Sequence, residues 1–167
     1  RFWVKMFLES RRRAPKQIVL DVDATDDPLH GQQEGRFFHG YYKCYCYLPL
    51  YIFCEGFPLH AELRPSNLDV AKGTVEAVER IVEQIRKSWP GVKILIRGDS
   101  GFAREEIMAW CEAHGVDYVL GLARNARLAR EIEKQLQQVK QEYEETQLSS
   151  RTFAEFQYRT LKTWTRT

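Results

Sequence analysis

Apolar and polar residues alternate through "KQIVLDVDAT", so that Ile18, Leu20 and Val22 share one face of an extended segment and Val19, Asp21 and Asp23 the other. The pattern predicts a strand that buries one face and ends on two carboxylates of the opposite face. After the turn-rich stretch "DDPLHGQQEGRFFHG", the aromatic run "YYKCYCYLPLYIFC" reads as a single strand, "EGFP" as a turn and "LHAELRP" as the returning strand of an antiparallel hairpin. In "SNLDVAKGTVEAVERIVEQIRKSWPG", Val75, Val78, Ile81, Val82 and Ile85 make one apolar stripe at helical spacing, closed by Pro90 and Gly91, and Asn67 suits a helix N-cap.

"VKILIRGDSGF" repeats the buried strand that ends in an acid, here Asp99, and is followed by a helix, "AREEIMAWCEAHG", and a short strand, "VDYVLGLA". The order is β-β-β-α-β-α-β, a mixed α/β arrangement. From Ala126 to Thr146, Leu128, Ile132, Leu136, Val139 and Tyr143 recur at helical spacing along one long charged helix, and "RTFAEFQYRTL" after it alternates like a strand. The opening "RFWVKMFLES" reads as a helix entered in its middle, without an initiating Met, and the close "YRTLKTWTRT" lacks a terminal cap. A piece of something longer is the expectation.

Composition narrows the class of protein. At 167 residues and 44% hydrophobic content the chain can bury one domain's core, and 25 Lys plus Arg against 23 Asp plus Glu leave a net charge of only +2, so any polyanion site must be local. The one dense basic run, Arg11 to Arg13 with Lys16, reads as a solvated linker after the first helix. Cys44, Cys46 and Cys54 crowd into one aromatic stretch and Cys111 stands apart, which fits reduced core thiols better than a disulfide framework, and no second ligand pair gives zinc a site. No apolar run approaches the ~20 residues of a membrane span and the start lacks the apolar core of a signal peptide. A cytoplasmic protein with no membrane partner is expected.

The acids carry the chemistry. Asp at a strand end is often a turn residue that accepts from the following amides, which accounts for Asp26 and Asp27 ahead of Pro28. Asp23 and Asp99 are different, since each follows a strongly apolar strand and precedes a small residue. If the two strands lie side by side at the ~4.8 Å spacing of a sheet, the two carboxylates can share a divalent ion, and Mg²⁺ suits such a pair because phosphate oxygens and water complete its shell.

Two reaction classes use "DVDAT". The haloacid-dehalogenase-like phosphatases carry DxDxT after a strand, with a nucleophilic first Asp and an acid/base second Asp, here Asp21 and Asp23. That family follows its first strand with a crossover helix and ends its metal motif on an acid, whereas this chain continues into a hairpin and has Ala103 at the corresponding place in "GDSGFA". The strand order instead resembles the ribonuclease H-like fold. The words "LDVDATDDPLHGQQEGRFFHGYYKCYCYLPLYIFC", "LRPSN", "IRGDSGF" and "YVLGLARN" together resemble the catalytic domain of DDE-type transposases of bacterial insertion sequences, close to the group numbered thirteen-eighty.

The resemblance implies a mixed sheet of three antiparallel strands and then parallel strands with flanking helices, acting on DNA. Cleavage and strand transfer would depend on Mg²⁺, with Mn²⁺ as a substitute. Residues 1–16 would be a helix and linker, 17–125 the catalytic core and 126–167 the start of an insertion. Asp23 and Asp99 carry over as two of the three metal-binding acids, with Asp21 as the fallback for the first. The third, a Glu on a later helix, has no match here, Glu131 and Glu133 included, so the chain by itself is expected to be inactive. Partners would be transposon ends and target DNA, with homo-oligomers in the synaptic complex and a nucleoid-associated place in a bacterium. A non-catalytic DNA-binding module that keeps the fold is the remaining alternative.

Around the acids, "HGQQEGRFFHG" forms a polar, glycine-bearing loop whose His30, Arg36 and His39 are candidate DNA contacts, as are Arg64 and Arg124 at strand ends. Tyr41, Tyr42, Tyr45, Tyr47, Tyr51 and Phe53 can stack on bases, but their strand-like spacing favours cross-strand packing.

Overall fold

The computed structural model describes residues 1–160 and 162–165, and these fall into two compact units, Arg1–Leu122 and one from Ala123 onward. In the first, helix α1 (Phe2–Glu9) leads into β1 (Gln17–Ala24), whose alternation sets its faces: Ile18, Leu20, Val22 and Ala24 are buried while Asp23 is exposed. Short strands β2 (Asp27–Pro28), β3 (Phe37–His39) and β4 (Cys44–Tyr47) follow, then β5 (Leu50–Cys54), β6 (Phe57–Glu62), α2 (Thr74–Ser88), β7 (Lys93–Gly98), α3 (Glu105–Ala113) and β8 (Asp117–Leu120).

The main sheet has five strands in the order β6-β5-β1-β7-β8, with β1, β5 and β6 antiparallel and β7 and β8 parallel to β1. That is the ribonuclease H-like arrangement. The β5–β6 hairpin turns on Glu55 and Gly56, both at positive φ (49° and 85°), as a two-residue turn matched to strand twist requires. Residues from α1, α2 and α3, including Phe7, Val78, Ile81, Ile85 and Ile107, close one core cluster over Ile18, Leu20, Ile52, Ile94 and Ile96. Helix α1 therefore belongs to the core, and Arg11 beyond it is anchored by an ion pair with Glu55 and stacks over Phe7, so the basic run is not wholly a free linker. All four cysteines are free, and Cys46, Cys54 and Cys111 are buried. Among the described residues, no helix is long and apolar enough to cross a membrane.

The structure departs from the sequence pattern in five places. The aromatic run is two strands, not one: β4 joins a small separate sheet in the order β2-β4-β3, and β5 joins the main one. The break falls at Leu48-Pro49, where proline has no N–H for a ladder and Leu48 instead exchanges hydrogen bonds with Arg64 through Leu48 N–H to Arg64 O (2.8 Å) and Arg64 Nε–H to Leu48 O (3.0 Å). The stretch read as a polar loop thereby supplies β2 and β3. Helix α2 starts only at Thr74 behind Gly73 (φ 81°), so Asn67 is a turn residue and not its N-cap.

The other two departures lie in the second unit. The single long helix is broken at Ile132 into α4 (Ala126–Glu131) and α5 (Glu133–Thr146), neither with a buried residue. Arg151–Thr160 forms no strand: it is held by Arg127, which stacks on Tyr158 and donates to Arg159 O (2.9 Å), and by Asn125, which donates to the Tyr158 hydroxyl (3.1 Å). Leu161, the last residue of the expected strand, lies outside the described residues.

Candidate active site

Parallel pairing of β1 with β7 aligns Val22 with Gly98, so the next residue on each strand, Asp23 and Asp99, leaves the sheet at the same end and level. Open α/β sheets gather their chemistry at this end. Asp23 accepts from its neighbour Ala24 N–H (2.9 Å), and Asp99 caps a single 3-10 turn, Ser100–Phe102, by accepting from Gly101 N–H (2.8 Å). Gly101 is required for that approach, because a Cβ there would stand 2.8 Å from Val70 Cγ1 and 3.0 Å from Asp99 Oδ1. Among the described residues each carboxylate keeps its second oxygen without a protein donor, and neither meets a Lys or Arg at ion-pair distance.

Asp21, two residues back on the face shared with Asp23, is committed elsewhere. Arg97 on β7 donates to both its oxygens, Nε to Oδ1 at 2.5 Å and Nη2 to Oδ2 at 3.0 Å, in the bidentate geometry that suits guanidinium and carboxylate. A carboxylate so held is poorly placed as a nucleophile, and β1 runs into antiparallel strands and not into a crossover helix. Both observations argue against the phosphatase reading.

The Tyr42 phenol is pushed above its ordinary value by partial burial first and then by Asp26, Tyr41, Asp23 and Asp99. Beside them opens a cleft of about 490 Å³. Asp99, Ser100 and Gly101 line one part of it, His39, Tyr41 and Tyr42 a second, and Leu68, Asp69 and Val70 a third. Asp69 ties the segment ahead of α2 to the turn after β7: it accepts from Ala71 N–H (2.9 Å) and from Arg104 (3.1 Å). Burial acts to raise its pKa, but the Ala71 amide and Arg104 outweigh burial and hold the carboxyl below its ordinary range.

The remaining candidates divide. His30 is exposed and His39 lines the cleft, with its Nδ1 accepting from Tyr42 N–H (3.4 Å). Arg36 folds its own loop by donating to Gly31 O (2.7 Å) and to Gln32, and stacks over Tyr45. Arg64, expected at a DNA surface, is 4% exposed; its guanidinium donates to the carbonyls of Leu48, Lys72 and Val70, so it braces the cleft wall from inside. Arg124 lies in the second unit. Nothing in the local pattern singles out Asp69 or Arg97, whose importance comes from partners far along the chain. Among the described residues no group of three His, Cys, Asp or Glu side chains is arranged to hold a metal ion.

The described residues thus form a ribonuclease H-like mixed sheet with one acid just past the end of β1's pairing with β7 and one just past the end of β7. The chain belongs to the family Transposase DDE domain group 1, which it matches over residues 1–167. DDE domains of this kind use divalent metal ions, and the hard oxygen pair of Asp23 and Asp99 fits that donor chemistry. No curated protein matches the chain. Similar solved structures include a piggyBac transposase synaptic complex with hairpin DNA (16% identity, TM-score 0.43, covering 70% of this chain and 25% of that one). The catalytic domain of Mos1 mariner transposase is similar at 9% identity and a TM-score of 0.47, covering 89% and 72%. A simian T-cell lymphotropic virus intasome in complex with PP2A regulatory subunit B56 gamma is similar at 12% identity and 0.40, covering 81% and 45%. The chain thus spans a quarter of the piggyBac chain it matches.

Proposed function

We propose that the chain is the metal-holding catalytic part of a DNA transposase, in which Asp23 and Asp99 bind the divalent ion and the substrate is DNA at transposon ends and target sites. The observation that carries this reading is the β1–β7 pairing: two acids emerge at one level with no cation among the described residues neutralising them, while Asp21, on the same strand, is held by Arg97. Family membership supports the same assignment. Mg²⁺ is the proposed ion, with Mn²⁺ as a substitute, since both take oxygen ligands and leave positions for phosphate and water. When bound, the ion supplies charge neutralisation at a phosphodiester and activation of water or a 3′ hydroxyl.

The chain's own contribution is positioning. Asp23 rides on a strand paired on both sides, and Asp99 is fixed by the Gly101 amide, so the two carboxylates are set before any ligand arrives. His30 and His39 remain proposed DNA contacts, the second unit is read as the start of an insertion, and copies of the protein are expected to act together on paired DNA ends. With no third metal-binding side chain beside the pair among the described residues, the isolated chain should bind ions weakly and not join DNA ends. Titration with Mn²⁺, followed by the paramagnetic resonance of the free ion, tests the site. Binding should be retained in Asp21→Asn and lost when Asp23→Asn and Asp99→Asn are combined; undiminished binding by that double variant would sink the assignment.

A further inference from the structure

We propose that the cleft beside Asp99 receives one unpaired nucleobase of a DNA strand, stacked on Tyr41. The inference rests on the DNA-acting reading and adds to it a base-binding subsite built from the turn after β3. Tyr41 is 83% exposed, against an expectation of cross-strand packing, and no core residue accounts for a large ring held in solvent at the mouth of a cleft. Its ring is set edge-on to Tyr42 (centroids 5.0 Å apart, 86° between planes), and Tyr42 in turn lies against His39 (4.9 Å) and packs on the core. Tyr41 is therefore exposed but braced, which lowers the ordering cost of stacking.

The occupant follows from shape and charge. A cleft of about 490 Å³ lies within the ~300–1,000 Å³ range of small-ligand sites, and Leu68 and Val70 add apolar lining to the aromatic groups. Polar groups are present as well, in the Tyr42 hydroxyl, the His39 ring and Ser100, and these can meet the hydrogen-bonding edge of a base. A free anion is disfavoured, because among the described residues Asp99 has no cationic partner and Asp69, though paired with Arg104, offers only oxygen. A neutral, flat, polar-edged ring is favoured. The base must be unpaired, since within a duplex both its faces are covered and its edge is occupied. Asp99 itself lines the cleft, so a nucleotide held at that acid can reach it with its base.

The test needs no metal, so it is separate from the metal-site assignment. A short single-stranded oligonucleotide carrying one 2-aminopurine is titrated with the 167-residue chain in EDTA, with the matching duplex as control. The expected result is quenching of the single strand on binding and none of the duplex. Tyr41→Ala should weaken binding roughly 5- to 150-fold, as the loss of one base–aromatic stack implies, and Tyr41→Phe should keep it. Because Tyr41 is exposed, its replacement leaves the fold intact, which circular dichroism checks. Absence of quenching with the parent chain, equal quenching of the duplex, or unchanged affinity in Tyr41→Ala each overturns the proposal, while the Mn²⁺ titration would stand or fall on its own.

Discussion

The two faces of the main sheet are made from alternate residues of the same strands, yet they differ in nearly every physical respect. On the helix-covered face, Ile18, Leu20, Ile52, Ile94 and Ile96 are at most 1% exposed and belong to one cluster with α1, α2 and α3. The other face carries Val19, Asp21, Asp23, Tyr51, Phe53, Leu95 and Arg97, all outside that cluster and none fully buried. The first face stabilises the fold by removing apolar surface from water. The second is free to keep charge, and it carries the bidentate Asp21–Arg97 pair and one of the two acids read as metal ligands. A one-residue slip in β1 would exchange the two roles, which is why the register is strongly specified.

Neighbouring residues of β7 give the sharpest test of the contrast. Ile96→Ala should cost about 2–5 kcal/mol, from lost burial and the cavity left behind, read by urea denaturation. Asp23→Asn and Asp99→Asn should behave in the opposite way: each weakens Mn²⁺ binding tenfold or more, a loss of ~1.4 kcal/mol, with the denaturation midpoint nearly unmoved. Leu95→Ala, one residue from Ile96 but on the other face, should cost only about 1 kcal/mol, and a loss equal to that of Ile96→Ala would break the distinction between the faces.

A smaller effect is expected from acid. Asp69 is held below its ordinary pKa of 3.8 despite its partial burial, by the Ala71 amide and Arg104, so its contribution to stability is complete above the unfolded value and is lost as pH falls through the folded one. The fall in stability at the acid end should be shallower in Asp69→Asn, measured by denaturation across that range. Smallest of all, Asp21→Asn should leave both Mn²⁺ binding and stability close to those of the parent, because the pair it breaks is exposed to solvent.

Much of this was legible in the chain itself. Period-2 alternation in "IVLDVDA" and "VKILIRG", the helical stripe of α2 and the two-residue turn at Glu55-Gly56 are local patterns, and the elements form where those patterns lie. Asp23 and Asp99 could be singled out because each follows an apolar strand. The failures are equally specific. Leu48-Pro49 divides a strand whose composition looks uniform, since Arg64 takes the Leu48 carbonyl from outside the run. The charged helix breaks at Ile132, where the apolar stripe has no core to bury it.

Taken alone, the sequence determined the alternation of faces in β1 and β7, the helical stripe of α2, the two acids that each follow an apolar strand and the resemblance to transposase DDE domains, because each is written in nearby residues or in short words. Only the tertiary structure set Asp21 apart from Asp23. Its partner, Arg97, is 76 residues from Asp21 and reaches it only because β7 pairs beside β1. The same holds for Arg64, which by its type belongs on a DNA surface but is buried under three carbonyls, and for Tyr41, which by its spacing belongs in a core but stands in solvent at the cleft. Which residues become neighbours is settled by long-range pairing, and local periodicity carries no information about that.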